Sequence, residues 1–507
     1  MGATGLKRGL KRGQNQEEGA ANFGCYRLTL PSTISDMNIN PLVFKAYDIR
    51  GVVPSQIDEE FALRLGFAFG RAALDAGECE VCVARDGRLS GPALMAALSK
   101  GLSLSGVQVL DLGMCTTPML YFGASTLCKS GIQITGSHNP KDYNGFKMVL
   151  AGKALYGDEI QALRVSMVND LNTSLESFAE KALPSKLIDI EPSYKEAIVG
   201  TIRLHRPMKI VIDSGNGVAG ASAPDIFRQL GCEVIELFSE VDGHFPNHHP
   251  DPSKPENLKD LILAIARHDA EIGFAFDGDG DRLGVVTKEG ENIFPDRQMQ
   301  LFAKDVLSRV PGGKIVFDVK CSQRLGPFIR ALGGEAVMFK TGHSLIKAKM
   351  REIDSPLGGE MSGHIFFKER WFGFDDGTYA GARLLEILSK APHASEVLNT
   401  LEGSFSTPEL NVAIKEGESS KLIESLINIV LEKGLPMPEH NPQLMTIDGL
   451  RIDWDHGFGL IRASNTTPVL VLRFEGHTSD ALTSIEKVML SLLGQVLPQA
   501  SLTEASH

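Results

Sequence analysis

Short apolar runs alternate with amphipathic stretches along most of the chain. The runs at residues 80–84, 209–213 and 314–318 have the length and composition of buried strands, whereas 61–76 and 258–267 show helical apolar spacing. The same patterns predict strands at 107–112, 131–135, 233–237 and 272–276, and helices at 91–104, 221–230 and 298–310. Strands that alternate with helices predict an α/β protein with parallel sheets flanked by helices.

One part of this pattern repeats. An apolar run ends at or just before an aspartate three times, at Asp86, Asp213 and Asp318. The repetition predicts three related α/β units, although chance could also produce it, since strands often end in aspartate. After about Gly403 the hydrophobic pattern changes. It indicates antiparallel-type strands at 450–452, 459–462 and 469–474 and an amphipathic helix at 479–493, and these predict a smaller α+β domain.

These changes of hydrophobic pattern predict the domain organisation. Residues 1–38 are polar and lack periodicity, so we expect a disordered extension there. We expect α/β domains at 39–186, 187–291 and 292–404, and an α+β domain at 405–507.

Composition narrows the class of protein. The 507 residues are 43% hydrophobic and 22% charged, as in soluble globular proteins, and the net charge is −12. The acidic balance argues against a nucleic-acid partner, but leaves room for a local basic pocket that binds a small anion. We expect no membrane partner, because no apolar run could cross a bilayer and no signal peptide is evident. The seven scattered cysteines favour a reduced, cytoplasmic protein.

A serine follows one predicted strand directly, in the segment Thr-Gly-Ser-His-Asn-Pro that contains Ser137. Ligand sites of parallel α/β sheets lie at the carboxyl ends of strands, so this serine is a candidate nucleophile. The segment is not the hydrolase Gly-x-Ser-x-Gly elbow, because positions 135 and 139 are Thr and Asn. His138 could act on Ser137 or orient it, and an ordinary polar turn is the alternative.

Three aspartates follow another predicted strand, in Asp-Gly-Asp-Gly-Asp-Arg. Asp277, Asp279 and Asp281 can converge because glycine permits a tight backbone path, and carboxylates are the hard ligands that Mg²⁺ prefers. An EF-hand loop is the rival, but Arg282 and Lys288 occupy its required Gly and Glu positions. Arg282 beside a metal loop also suggests an anionic ligand.

Two further polar segments are candidate sugar and phosphate sites. In the segment 359–364, Glu360, Ser362 and His364 would face one side of an extended backbone, although a solvated loop is the alternative. The segment 462–468 offers a guanidinium, hydroxyls and an amide to a phosphate, and a polar hairpin is its alternative.

The histidines at 244, 248 and 249 lie close together in the sequence, as zinc ligands can. No nearby cysteine completes a tetrahedral zinc site with them.

Taken together and in this order, the four motifs resemble those of the α-D-phosphohexomutases, above all the bacterial phosphomannomutase/phosphoglucomutase branch. The resemblance runs from about Phe44 to Leu493 and includes the signature-like segment 44–51 and the run 359–376. It implies three related α/β domains and a smaller, rotating C-terminal α+β domain around a central cleft. The 1–38 extension falls outside it.

The resemblance also implies roles for residues. Ser137 would be the phosphorylated nucleophile and, through its phosphate, a ligand of the Mg²⁺ held by Asp277, Asp279 and Asp281. Lys147 and His343 would serve as general base and acid, with Arg50 beside them. The implied substrate-binding residues are Tyr47, Arg50, His138, Arg282, Lys320, His343, Glu360, Met361, Ser362, Gly363, His364, Arg462, Ala463, Ser464, Asn465 and Thr466.

The implied function is the reversible interconversion of hexose 1-phosphate and hexose 6-phosphate, for glucose and mannose. It would run through a phosphoserine enzyme and a hexose 1,6-bisphosphate, with Mg²⁺ as cofactor and glucose 1,6-bisphosphate as activator. Hexose phosphates would be the only partners of a monomer. The alternatives are a Mg²⁺-dependent sugar-phosphate phosphatase, a phosphoglucosamine mutase and a non-catalytic sugar-phosphate binder.

Overall fold

A computed structural model describes residues 39–415, 417–465 and 467–498 and the backbone of 503–504. The predicted extension 1–38 and the predicted phosphate ligand Thr466 lie outside the described residues. Among the described helices, none is both long and apolar enough to cross a membrane.

The first sheet is mixed and has the strand order β1-β5-β4-β2-β3-β7, with the short β6 beside β5. Its elements are β1 (Ile49–Val52), α1 (Glu59–Asp75), β2 (Glu80–Arg85), α2 (Gly91–Ser105), β3 (Gln108–Met114), α3 (Thr117–Thr126), β4 (Gly131–Ile134), β5 (Tyr143–Leu150), β6 (Lys153–Ala154), α4 (Asp158–Asn169) and β7 (Lys186–Leu187). Strands β2, β3, β4 and β7 are parallel, and β5 returns antiparallel to β4.

Two four-stranded sheets follow, in the orders β11-β10-β8-β9 and β13-β12-β14-β15. The elements of the second unit are α5 (Glu191–Thr201), β8 (Lys209–Asp213), α6 (Ala223–Gln229), β9 (Glu233–Leu237), α7 (Lys259–His268), β10 (Ile272–Phe276) and β11 (Leu283–Thr287). Those of the third are α8 (Pro295–Leu307), β12 (Lys314–Asp318), α9 (Leu325–Ala331), β13 (Glu335–Phe339), α10 (His343–Ile353), β14 (Leu357–Gly359), β15 (Ile365–Phe367), α11 (Gly377–Leu388) and α12 (Ala394–Leu398).

The three units share one topology, which confirms the three related α/β units predicted from the repeat. In each, two parallel strands pair, a third joins the first strand on its other edge, and a fourth returns antiparallel. The expectation of parallel sheets was therefore wrong in one respect: β5, β11 and β15 return antiparallel, so the sheets of these three units are mixed. The loop that precedes each returning strand is the loop that carries a predicted motif.

The last unit is an antiparallel sheet covered by helices, as the α+β prediction requires. Its elements are β16 (Phe405–Ser406), β17 (Leu410–Ala413), α13 (Ser419–Lys433), β18 (Gln443–Met445), β19 (Leu450–Trp454), β20 (Gly457–Ala463), β21 (Val469–Gly476), α14 (Ser479–Val496) and β22 (Thr503–Glu504). Its apolar core is separate from the large core that runs through the first three units.

Local signals explain where several helices begin. Asp58, Asp376 and Thr478 accept hydrogen bonds from the first-turn amides of α1, α11 and α14, as N-cap residues do. Helix α8 begins at Pro295, three residues before the predicted start at 298, because proline is favoured in a first helical turn. The predicted helix 221–230 is shorter than expected, because Val218–Ala221 forms a 3-10 turn and α6 begins at Ala223.

Candidate active site

The three motif-bearing hairpin loops and the β20–β21 loop of the last unit line one cavity of about 360 Å³. The structure brings together there nearly all residues predicted to bind substrate. The cavity is lined by Tyr47, Arg50, Ser137, His138, Lys147, Arg282, Lys320, His343, Glu360, Met361, Ser362, Gly363, His364, Arg462, Ser464 and Asn465. Ala463 ends β20 beside Arg462.

Ser137 lies in the β4–β5 hairpin and is only 1% exposed. Its φ of 49° is left-handed, a conformation that costs free energy for a serine and persists only where contacts hold it. Its amide donates to Thr135 Oγ1 at 2.8 Å. Its hydroxyl donates to Asp277 Oδ2 at 2.9 Å and lies 3.2 Å from His138 Nδ1. The serine therefore touches the aspartate loop of the second unit.

A buried arginine stabilises the β4–β5 loop that contains Ser137, here called the serine loop. Arg88 is 1% exposed, and its guanidinium donates to four backbone carbonyls of that loop. These carbonyls belong to Ser137, Asn139, Pro140 and Tyr143, at 2.5–2.9 Å. Asp86 accepts from the Thr135 hydroxyl at 2.7 Å and pairs with Arg88. A Cβ at Gly136 would lie 2.4 Å from the guanidinium carbon, so a larger residue there would displace Arg88.

The aspartate triad lies directly behind Ser137 and Lys147, two residues that line the cavity. Asp277, Asp279 and Asp281 are fully buried, and one oxygen of each lies within 4.8 Å of the others. The Oδ1 atoms of Asp279 and Asp281 have no hydrogen-bond partner among the described residues. Buried, converging carboxylates with unsatisfied oxygens fit a hard divalent cation such as Mg²⁺.

Lys147 of β5 also lies against this triad. Its ammonium donates to Asp279 Oδ2 at 2.7 Å and to Asp281 Oδ2 at 2.5 Å. Burial opposes its charge, but the aspartates outweigh burial and raise the pKa of Lys147. Burial and the two neighbouring carboxylates raise the pKa of Asp277 well above its usual range. The site therefore contains more carboxylates than positively charged side chains, as a cation-binding site does.

A second polar cluster adjoins the triad. His364 Nδ1 lies 3.0 Å from Asp375 Oδ2, and Arg282 Nε donates to His364 Nε2 at 3.0 Å. Lys347 also donates to Asp375, at 2.8 Å. Burial, and then the Lys347 charge, lower the pKa of His343 well below its usual range. The His343 imidazole is therefore neutral at pH 7, and its Nε2 has no hydrogen-bond partner among the described residues.

The β14–β15 hairpin presents the predicted sugar-binding segment. Glu360 is 2% exposed and accepts from the Gly342 amide at 2.5 Å, and its own amide donates to the His364 carbonyl at 2.8 Å. The Met361 amide donates to Asp318 Oδ1 at 3.1 Å, which fixes the loop to the end of β12. Burial raises the pKa of Glu360 to about 7. The segment is therefore a buried, hydrogen-bonded loop and not the solvated loop that was the alternative interpretation.

The last unit closes the cavity with the β20–β21 loop. Arg462 donates to Asp448 Oδ2 at 3.0 Å, and Asp448 also accepts from the Thr341 amide at 2.9 Å. Asn465 donates to the Thr341 carbonyl at 3.0 Å. On the facing side, Lys320 donates to Glu409 Oε1 at 2.5 Å. Two basic groups therefore face the cavity, each oriented by a carboxylate.

Tyr47 and Arg50 complete the wall near β1. Arg50 pairs with Asp48 at 2.6 Å, and the Tyr47 ring packs edge-on against His343 with centroids 4.9 Å apart. Burial raises the pKa of Tyr47.

The three histidines of the 244–249 stretch do not share a site. His244 pairs with Asp242, His248 pairs with Asp213, and His249 contacts the His138 carbonyl. Among the described residues, none of the groups with metal-binding geometry includes them.

Several residues of this site have no motif that would identify them. Arg88 and Glu409 bind groups 49 and 89 positions away, and Asp375 and Asp448 bind Lys347 and Thr341, 28 and 107 positions away. One signal was available for Asp375, which lies within the run 359–376 that carries the family resemblance.

Comparison with known proteins supports the same interpretation. Four models of phosphoglucomutase/phosphomannomutase domains match the chain: alpha/beta/alpha domains I, II and III at residues 41–171, 192–290 and 294–404, and the C-terminal domain at 409–491.

Two curated relatives match over most of their length. A phosphoglucomutase of Neisseria gonorrhoeae is 54% identical over 449 residues, 88% of this chain and 95% of that protein. A phosphomannomutase/phosphoglucomutase of Pseudomonas aeruginosa PAO1 is 52% identical over 468 residues, 92% of this chain and 98% of that protein. The crystal structure of a phosphoglucomutase/phosphomannomutase family protein from Burkholderia thailandensis superposes with a TM-score of 0.84 at 51% identity, and covers 92% of this chain and 100% of that chain.

Proposed function

The chain belongs to the phosphoglucomutase/phosphomannomutase family, and we propose a mechanism by which it acts as an isomerase and interconverts hexose 1-phosphates and hexose 6-phosphates. The mechanism is based on the family membership and on the geometry of the cleft. The observation that carries the proposal is the contact of Ser137 Oγ with Asp277 Oδ2 at 2.9 Å in a buried cleft. A hydroxyl in this position is next to a cation site and out of bulk water.

Ser137 is the phosphoryl carrier. The two sugar oxygens that exchange a phosphate are too far apart for one direct transfer, so a covalent enzyme intermediate is required. In the first half-reaction the Ser137 O–P bond breaks and an O–P bond forms at the free sugar hydroxyl, which gives a hexose 1,6-bisphosphate. After the bisphosphate turns end for end, its other phosphoryl returns to Ser137. Glucose 1,6-bisphosphate accordingly acts as an activator, because it phosphorylates free Ser137.

Asp277, Asp279 and Asp281 would hold Mg²⁺ beside this oxygen. When bound, the ion supplies positive charge that stabilises the transferring phosphoryl group. Arg282 adds a further positive charge at the same end of the cleft, because its Nε lies 3.8 Å from Asp277 Oδ2.

Two groups suit the proton transfers. His343 is the base for the sugar hydroxyl, because its low pKa keeps it neutral and its Nε2 has no partner among the described residues. Lys147 enters the reaction protonated and is the acid, and the roles exchange when the substrate is reversed. Arg50 contributes positive charge on the same wall.

The distal phosphate and the sugar are bound by the other loops. Arg462, with Ser464 and Asn465, anchors the phosphate that is not reacting, and Lys320 faces it. Glu360 and Ser362 bind sugar hydroxyls, with Met361, Gly363 and His364 shaping their loop. Because one chain supplies all these groups, we propose that the enzyme acts as a monomer.

The experiment that tests this function measures two products in one reaction. The protein is given glucose 1-phosphate, Mg²⁺ and a trace of glucose 1,6-bisphosphate, and both glucose 6-phosphate and inorganic phosphate are followed. A mutase forms glucose 6-phosphate with little phosphate release, because the closed cleft excludes water from the phosphoserine. Phosphate release at a rate comparable to isomerisation would instead identify a phosphatase.

A further inference from the structure

A second cluster of metal-ligating side chains lies in the last unit, among residues that do not line the cavity. Among the described residues, three groups bring histidine or carboxylate ligand atoms within 4.8 Å of one another. Two of them share Asp281 in the cleft. The third consists of His440, Asp455 and His456, here called the HDH cluster.

The HDH cluster is already assembled in the structure. His440 Nδ1 and His456 Nδ1 both approach Asp455 Oδ1, at 3.2 Å and 2.8 Å, and the two imidazole centroids are 4.1 Å apart. In a tetrahedral zinc site with bonds of about 2.0–2.1 Å, neighbouring ligand atoms lie about 3.3 Å apart. The two spacings to Asp455 are within about 0.5 Å of that value, and the two imidazole nitrogens lie within 4.8 Å of each other, so side-chain rotations would admit an ion.

The backbone beneath the cluster is held in place. The Asp455 amide donates to the His440 carbonyl at 3.0 Å, and the buried Trp454 donates from Nε1 to the Pro436 carbonyl at 2.9 Å. These bonds join the segment before β18 to the β19–β20 turn. The three ligands therefore come from two chain segments whose relative position is set before any ion binds, which reduces the entropic cost of binding.

The donor chemistry differs from that of the cleft. The aspartate triad offers only oxygen atoms, which suits Mg²⁺, whereas two imidazole nitrogens with one carboxylate suit Zn²⁺, Co²⁺, Ni²⁺ or Cu²⁺. The cluster is also accessible to an ion, because the side chains of His440 and Asp455 are 41% and 49% exposed. Solvent can supply the fourth ligand.

We propose that His440, Asp455 and His456 form a binding site for one divalent transition-metal ion of the zinc class, separate from the magnesium site of the cleft.

The test uses the full-length chain without a histidine tag, in saturating Mg²⁺ so that the oxygen site is filled. Zn²⁺ binding is measured by titration calorimetry, and Cu²⁺ is added in a parallel sample for electron paramagnetic resonance, which detects nitrogen ligands. We compare wild type, H440N, H456N and the matched control H244N, since His244 is also exposed and pairs with a single aspartate, Asp242. Circular dichroism of each variant verifies its fold.

The proposal predicts one Zn²⁺ site in wild type and H244N, imidazole nitrogen signals from bound Cu²⁺, and affinity at least about tenfold weaker in H440N and H456N. The proposal is wrong if wild type binds no Zn²⁺ in Mg²⁺, if bound Cu²⁺ has only oxygen ligands, or if H440N and H456N bind as tightly as H244N.

Discussion

At the residue scale, chemistry-bearing side chains could be predicted where a motif concentrates them. Ser137 and the three aspartates follow apolar runs directly, so their place at strand ends was readable from the sequence. Arg88 and Asp448 could not be read in this way. Each is a common residue type: Arg88 binds carbonyls 49–55 positions away, and Asp448 binds Arg462 and the Thr341 amide, 14 and 107 positions away. Such contacts are set by tertiary packing, which one sequence does not encode as a local pattern.

Replacing Arg88 tests whether the serine loop needs its buried support. In Arg88→Ala, four loop carbonyls lose a charged donor and Asp86 is left as an unpaired buried carboxylate, so we expect a loss of about 3–5 kcal/mol in the free energy of unfolding. We also expect kcat to fall more than KM rises, because the loop positions the carrier. Urea denaturation and steady-state kinetics measure both.

Arg71→Ala is the matched control for this prediction. Arg71 forms an exposed ion pair with Asp170, so its loss should cost less than about 1 kcal/mol. If Arg88→Ala were as stable and as active as Arg71→Ala, the support assigned to Arg88 would be refuted.

Replacing Asp448 tests whether it orients Arg462, the arginine of the proposed phosphate loop. In Asp448→Ala, Arg462 loses its carboxylate partner, and we expect KM for hexose phosphates to rise about tenfold with a smaller change in kcat. A double-mutant cycle with Arg462→Ala separates this role from a purely structural one. If Asp448 acts through Arg462, the double variant should have the KM of Arg462→Ala alone, whereas additive effects would contradict the assignment.

At the element scale, the sequence predicted most strands and helices but not how each sheet is completed. β12, β13 and β14 are parallel, and the three-residue β15 returns beside β14. Strands this short give too few positions for an alternating pattern, so the returning strand was not separable from the loop before it. The consequence is functional: the serine, aspartate and glutamate loops are the same hairpin loop in three copies of one topology.

The cap of α11 gives a prediction for pH dependence. Asp376 accepts from the Tyr379 amide, the Tyr194 hydroxyl and Trp371 Nε1, and burial raises its pKa to about 7. An acid with a raised pKa in the folded state contributes stability that is complete below its ordinary pKa of about 4, and this contribution is lost as the pH rises to about 7. The change amounts to about 4 kcal/mol.

The isosteric variant Asp376→Asn keeps an acceptor but cannot ionise. We therefore expect its stability relative to wild type to improve steadily between pH 4 and pH 7, as measured by chemical denaturation at each pH. Asp480→Asn, in the exposed first turn of α14, is the control for the same change of side chain at the surface. A constant difference between Asp376→Asn and wild type over this range would contradict the assignment.

At the scale of the whole molecule, four units contribute loops to one cleft, and the resemblance predicted this arrangement better than the pattern did. Hydrophobic periodicity indicates elements within a unit, but the pairing of Ser137 with Asp277 joins positions 140 residues apart. Contacts between the third and last units, such as Arg451 with the Val319 and Cys321 carbonyls, likewise have no local signal.

The cleft also predicts which sugars are substrates. Glucose and mannose differ only at C2 and share equatorial hydroxyls at C3 and C4, so a loop that binds those two hydroxyls through Glu360 and Ser362 accepts both. We expect kcat/KM for glucose 1-phosphate and mannose 1-phosphate to differ by less than about a thousandfold, which corresponds to about 4 kcal/mol. Glucosamine 1-phosphate serves as the comparison substrate. A larger ratio between glucose and mannose, or a preference for glucosamine 1-phosphate, would contradict the prediction.

The central claim is that the Ser137 hydroxyl stores the phosphoryl group during turnover. The most direct measurement incubates the protein with radiolabelled glucose 1,6-bisphosphate and Mg²⁺, maps the label by peptide mass spectrometry, and then adds unlabelled glucose 1-phosphate. We predict label on Ser137 that chases into hexose phosphate within a turnover, and neither label nor turnover in Ser137→Ala. Label on a different residue, or near-normal turnover by Ser137→Ala, would contradict the account.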